Sequence, residues 1–326
     1  MGEINRNNLI RLSKSCISRK EKDAVLKVLD EEYLGMGSKV EEFEIELSKF
    51  FNRPAVCVVN GTAALHLALQ ACQIKIGCEV IVPSLTYVAS FQAIHASGAK
   101  PIACDIDEET YLMDLQDAES KITEKTKAII PVHYTGGVGN LNSVYDLAKK
   151  YNLRVIEDAA HAFGTTYDGN RIGSIGDVAC FSFDGIKNIT SGEGGCVVTS
   201  DESVLARVRD ARLLGVRKDS EKRYSGNRSW DFEVKYPGWR YHMSNIMAAI
   251  GIEQLKRFPE FALNRQKLSK KYDSLFSEND IITPIPRDYN TVVPHIYVTR
   301  IKGMKDRDRV VTNMKEKNIE VGYHYQ

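Results

Sequence analysis

No two cysteines stand at CxxC spacing. The seven present, at 16, 57, 72, 78, 104, 180 and 196, are odd in number and sit mostly in apolar runs such as Ala55–Val59. Neither a disulfide framework nor a thiolate metal site is expected, and a reducing compartment is. Charge of one sign is also missing: 44 Lys plus Arg against 43 Asp plus Glu leave a formal net charge of +1. That balance argues against a nucleic-acid surface or a polybasic membrane contact. No apolar run reaches the length needed to cross a bilayer. Met1–Arg6 lacks the apolar core of a signal peptide and the Ser or Thr of a myristoylation site. The expectation is a cytoplasmic chain. Motifs fail in the same way. Gly164–Asn170 has P-loop glycine spacing but Asn where Lys is needed, and Gly137-Val-Gly139 lacks a third glycine. No HExxH, paired zinc-type histidines or GxSxG elbow occurs, so no metal is expected.

What is present is a chain of 326 residues, 43% hydrophobic, enough for one large domain or two ordinary ones. Residues 20–52 read as two amphipathic helices separated by Tyr33–Ser38. Short apolar runs then alternate with helical ones. Strands are expected at 55–59, 79–83, 100–104, 128–133, 154–156, 178–183 and 196–199. Helices are expected at 63–72, 87–96, 141–151 and 202–214. This alternation argues for an α/β sheet, largely parallel and covered on both faces. Residues 217–236 are charged and irregular. Two helices are expected beyond them, near 244–257 and 264–276, and then strand, helix, strand at 295–301, 306–317 and 320–323. The expected division is a large domain at 1–245 and a small α+β domain at 246–326.

Four stretches carry candidate chemistry. In Phe181–Gly195, Lys187 stands between a strand-like run and the glycines of Gly192-Glu193-Gly194-Gly195. It is either a loop lysine at the surface or a desolvated amine suited to Schiff-base chemistry. In Ile156–His161, Asp158 ends a strand, where open α/β sheets bind ligands. It either caps a helix or pairs with a protonated ring nitrogen. Asn60-Gly61-Thr62 turns from strand into helix, a geometry that favours a phosphate. Tyr87, after Pro83-Ser84-Leu85-Thr86, either packs in the core or stacks on a planar ring.

In this order the pieces resemble the sugar nucleotide aminotransferases of the DegT/DnrJ/StrS type, which are fold type I pyridoxal phosphate enzymes. The resemblance runs from Tyr33-Leu-Gly-Met-Gly37 through Asn60–Leu65, Glu157–His161 and Phe181–Gly195 to Met243-Ser244 and Ala248–Gly251. It implies an aspartate-aminotransferase-like fold with a mostly parallel sheet domain and a smaller α+β domain. It makes Lys187 the residue that holds pyridoxal 5′-phosphate as an imine and shuttles the proton. Asp158 becomes the partner of the pyridine nitrogen, His161 the neighbour of the phenolic oxygen, and Tyr87 the stacking aromatic. Gly61, Thr62 and Ser182 become holders of the phosphate. Arg240 stands where many relatives have an Asn that reaches the phosphate across a dimer interface.

The resemblance further implies a homodimer with shared sites, L-glutamate as amino donor and a nucleotide sugar, dTDP- or GDP-linked, as acceptor. Related dehydratases carry histidine in place of the lysine, so Lys187 favours transamination. Lys187–Gly195 looks like the branch acting on 4-keto-6-deoxyhexoses, which implies a 4-amino-4,6-dideoxyhexose for a surface glycan such as the O-antigen of lipopolysaccharide. A 3-keto sugar or keto-inositol is the alternative acceptor. A catalytically silent scaffold is the alternative of another class, because relatives continue beyond Gln326 with a histidine-bearing loop and helices.

Overall fold

The structure is a computed structural model and describes residues 9–227, 230 and 233–325. The whole of the Met1–Arg6 reading, four positions of the irregular 217–236 stretch and Gln326 lie outside the described residues. In chain order the helices are α1 (Arg19–Asp30), α2 (Ser38–Phe51), α3 (Gly61–Ala71), α4 (Val88–Ala96), α5 (Leu115–Ser120), α6 (Leu141–Tyr151), α7 (Glu202–Ala211), α8 (Asp219–Tyr224), α9 (Asn245–Phe276) and α10 (Arg307–Glu316). The strands are β1 (Ala55–Val58), β2 (Glu79–Pro83), β3 (Lys100–Cys104), β4 (Thr126–Ile129), β5 (Arg154–Asp158), β6 (Thr166–Tyr167), β7 (Asn170–Arg171), β8 (Val178–Ser182), β9 (Gly195–Thr199), β10 (Ile282–Pro284) and β11 (Thr299–Ile301).

Seven strands form one sheet in the order β1-β9-β8-β5-β4-β2-β3. Strand β9 pairs antiparallel with both of its neighbours, and the other pairings are parallel. Side chains alternate between two cores. Cys57, Ala179, Phe181, Cys196 and Val198 face one, with Phe43, Phe51 and Phe163. Val56, Val58, Val178, Cys180 and Val197 face the other, with helix α3. Burial on both faces explains why these strands read as unbroken apolar runs. The expected mixed α/β class with a large, mostly parallel sheet is the observed one. Strands β10 and β11 form a separate antiparallel pair. Among the described residues, no helix is long and apolar enough to cross a membrane.

Several expectations need correction. The helices expected near 244–257 and 264–276 are one helix of 32 residues that runs through Pro259. A proline removes one helical hydrogen bond, but burial of Phe258 and Phe261 on either side of it holds the helix together. Only Thr299–Ile301 of the expected 295–301 strand is extended, and 320–323 is not a strand. Helices α5 and α8 were not expected. The Gly164–Asn170 stretch is a hairpin: β6 and β7 meet at Asp168 and Gly169, with φ of 49° and 76°.

Candidate functional site

A cavity of about 430 Å³ opens at the carboxyl ends of β5 and β8. Seven of the eight candidate residues line it: Gly61, Thr62, Tyr87, Asp158, His161, Ser182 and Lys187. Arg240 does not. It lines a smaller hollow of about 130 Å³ with Leu213, Asp219, Arg223 and His242.

Asp158 is the last residue of β5, and its backbone is pinned from both sides. Its N–H donates to Pro131 O at 2.9 Å, and its carbonyl accepts from the His133 N–H at 3.1 Å. No helix follows it, so the capping alternative falls. Ser90 Oγ donates to Asp158 Oδ2 at 2.7 Å, and the Ala160 N–H reaches Oδ1 at 3.3 Å. Thr86 Oγ1 lies 2.8 Å from Ser90 Oγ. A carboxylate has about four acceptor positions, so Asp158 keeps capacity for a further donor from the cavity.

Ser182 ends β8, opposite Gly195 of β9. The loop between these strands is closed by its own backbone: the Phe183 N–H donates to Gly194 O at 2.7 Å, and the Ser191 N–H to Phe183 O at 2.8 Å. Lys187 rides on this loop, its N–H on Asp184 O at 3.1 Å. Its amine lies 3.5 Å from His295 Nε2. Burial lowers the Lys187 amine to about 8, against the opposing pull of Asp158 and Asp184. This burial speaks against the surface-lysine alternative, and a desolvated amine with a lowered pKa is suited to nucleophilic and proton-transfer work.

Gly61 opens helix α3, and Asn60 caps it by accepting from the Ala63 N–H at 2.8 Å. A Cβ on Gly61 would lie 2.8 Å from Ser182 Cβ. Only glycine lets the helix start come this close to the strand end. The first N–H groups of a helix have no partner within it and favour an anion.

Tyr87 is 58% exposed, so core packing does not explain it. Its ring stands 5.7 Å from that of Tyr325. His161 is buried, its Nδ1 has no partner among the described residues, and Tyr325 Oη lies 3.3 Å from its Nε2. Burial first, then the charge of Lys187, push the His161 imidazole well below its ordinary value, so the ring is neutral.

The sequence reading missed His295, His324 and Tyr325 as cavity groups, and Ser90 as the buried hydroxyl on Asp158. Ser90 carries no motif; only its four-residue spacing from Thr86 hints at a shared helix face. His295 and Tyr325 come from segments far from the sheet motifs, and no spacing links them to Lys187.

Comparisons with known proteins bear on the family and the fold. Residues 15–326 match the model of the DegT/DnrJ/EryC1/StrS aminotransferase family. The spore coat polysaccharide biosynthesis protein SpsC of Bacillus subtilis is 37% identical over 326 residues, covering 98% of this chain and 84% of that protein. Spr1654 of Streptococcus pneumoniae, solved in a PLP form, is 32% identical with a TM-score of 0.88, over 97% of this chain and 85% of that one. PseC of Helicobacter pylori, an aminotransferase involved in the biosynthesis of pseudoaminic acid, is 28% identical with a TM-score of 0.89, over 98% and 85%. The chain belongs to the DegT/DnrJ/EryC1/StrS aminotransferase family. It is a sugar aminotransferase of fold type I, and its cofactor is pyridoxal phosphate. The residues present fit that group: a desolvated amine beside a neutral imidazole, a carboxylate with spare acceptor capacity, a buried imidazole nitrogen without a partner among the described residues, and a hydroxyl beside a helix start.

Proposed function

We propose that this chain transfers the amino group of L-glutamate to a nucleotide-linked 4-keto-6-deoxyhexose, giving a 4-amino-4,6-dideoxyhexose. The convergence of Lys187, Asp158 and Ser182 with the Gly61 helix start on one cavity carries the reading. Gly192-Glu193-Gly194-Gly195 supports the position of amination, through the resemblance to the 4-keto branch. The product would feed a surface polysaccharide such as an O-antigen, a destination favoured by the polysaccharide role in the name of the Bacillus relative. A cytoplasmic setting goes with a nucleotide-activated substrate.

Bound pyridoxal phosphate supplies an electron sink for the α-carbon of the amino donor. The roles of the protein groups follow from their chemistry. Asp158, oriented by Ser90 and the Ala160 N–H, keeps a ring N–H⁺ charged by accepting from it. Lys187 holds the group covalently, then, once displaced, moves a proton from the α-carbon of the donor. Its position beside that carbon makes the transfer intramolecular, which is worth several kcal/mol in favourable cases. Ser182, Thr62 and the first N–H groups of α3 bind phosphate. Neutral His161 would neighbour the phenolic oxygen, and Tyr87 would stack on the ring. Arg240 serves the phosphate of a second subunit in a homodimer. The proposed division into a large and a small domain falls at residue 245.

Two measurements test the proposal. Borohydride reduction followed by peptide mass spectrometry is expected to find the cofactor on Lys187; a colourless protein after added cofactor would favour a silent scaffold instead. Incubation with glutamate and a dTDP-4-keto-6-deoxyhexose is expected to give the 4-amino sugar. Turnover of a 3-keto isomer or a keto-inositol, with none of the 4-keto sugar, would overturn the substrate assignment.

A further inference from the structure

We propose that His295 is the positioning residue for Lys187: its Nε2, 3.5 Å from Lys187 Nζ, accepts from that amine and holds it over the cavity. The inference rests on reading Lys187 as the residue that carries the cofactor. His295 and Lys187 lie 108 positions apart in the chain. Yet one guanidinium spaces their backbones. Arg265 on α9 donates from Nη1 to His295 O at 2.9 Å and Pro294 O at 3.3 Å, and from Nη2 to Lys187 O at 3.5 Å. The His295 ring is buried and packs 4.4 Å from that of His161, centroid to centroid.

The tautomer follows from the partner. A lysine ammonium has three donors and no acceptor, so Nε2 must accept and the ring proton sits on Nδ1. That Nδ1 is buried without a partner among the described residues. A buried donor left unpaired costs free energy, a cost that an apolar side chain of similar size would avoid. The retained imidazole is explained by what its other nitrogen does. The charged and titratable groups facing Lys187 are Asp158 from β5, Asp184 on its own loop, Arg265 from α9, and the imidazoles of His161, His295 and His324. Burial and the neighbouring cations keep His295 neutral, so the acceptor stays available. A fixed amine is what an intramolecular proton transfer needs, because such transfers are steeply sensitive to misplacement.

The test uses the cofactor-free full chain and its His295→Phe and His295→Gln variants. Lysines are labelled competitively with acetic anhydride from neutral to strongly alkaline pH, and mass spectrometry reads the midpoint for Lys187 against the other lysines. In His295→Phe the Lys187 ammonium loses its acceptor, so the midpoint is expected to fall by about one pH unit. In His295→Gln the amide oxygen accepts instead, and the midpoint returns. With cofactor bound, His295→Phe is expected to lower kcat about 100-fold with KM for glutamate unchanged, and the Gln variant to recover about tenfold of that loss. A Lys187 midpoint unmoved in His295→Phe overturns the proposal, as does a Gln variant as impaired as Phe at equal melting temperature. If His295→Phe does not fold, His295→Asn, whose amide stops short of the amine, takes its place. Borohydride labelling of the wild-type holoenzyme separates the two readings. Cofactor found on another lysine removes the premise, whereas cofactor on Lys187 with an unmoved midpoint removes this inference alone.

Discussion

Gly195 shows how little room the site leaves at single residues. A Cβ there would lie 2.6 Å from both the carbonyl carbon and oxygen of Asn60, and 2.7 Å from Phe181 O. These are backbone atoms of the helix cap and of β8, and they cannot swing aside as a side-chain tip would. Gly195→Ala is expected to destabilise the fold by about 2 kcal/mol or more, by the usual cost of overpacking. Thermal unfolding checks this, and an unchanged melting temperature would contradict the close approach. Gly61 differs, because the atoms it would meet belong to the Ser182 side chain and Cα. Its alanine variant is expected to keep the fold and weaken pyridoxal phosphate binding at least tenfold, about 1.4 kcal/mol, read by cofactor titration. In the sequence Gly61 stood out as a turn residue and Gly195 as one of a glycine cluster. That each is forced by the same neighbourhood, where Asn60–Gly61 meets β8 and β9, follows only from the strand register.

At the scale of elements, helix α1 is joined to α9 through one carboxylate. Glu21 completes a capping box with Ser18. Its other oxygen accepts from Gln254 Nε2 and Arg257 Nη1, each at 2.7 Å. Burial raises the Glu21 carboxyl, but the hydrogen bonds from Ser18 and Arg257 outweigh it and lower the group from 4.5 to about 2. A carboxylate with a depressed folded-state pKa stabilises fully above its unfolded value and loses that stability as pH falls towards the folded one. The window is therefore from about pH 4.5 down to about 2, and the contribution is on the order of 2–3 kcal/mol. Denaturant melts of wild type and Glu21→Gln are expected to converge as the pH is lowered through this window. A constant gap between them would show that the carboxylate acts by packing alone. The amphipathic pattern from residue 20 marked the helix whose first turn holds Glu21. The tie to α9 was not legible, since its partners lie more than 230 residues away.

At the scale of the whole molecule, the open question is the second subunit. Arg240 lies in its own hollow, not in the cavity of its own chain. If it completes the site of a partner, two inactive variants should rescue each other. Lys187→Ala and Arg240→Ala proteins, mixed and reassembled, form heterodimers in which one of the two sites has both native residues. Random pairing makes half the dimers mixed, so about a quarter of wild-type activity is expected back. No recovery on mixing, with Arg240→Ala itself fully active, would remove Arg240 from the site.

By itself the sequence determined the sheet class, the positions of β2, β3 and α6, and the four stretches that meet at the cavity. It could do so because strands buried on both faces, glycine turns and helix caps leave local marks. Tertiary structure alone decided the rest. It carried α9 through Pro259, because packing on both sides outweighs one missing hydrogen bond. It brought Ser90 to Asp158 and His295 to Lys187, contacts between chain segments 68 and 108 residues apart. Such pairings are set by how elements stack, and no local pattern of residues encodes them.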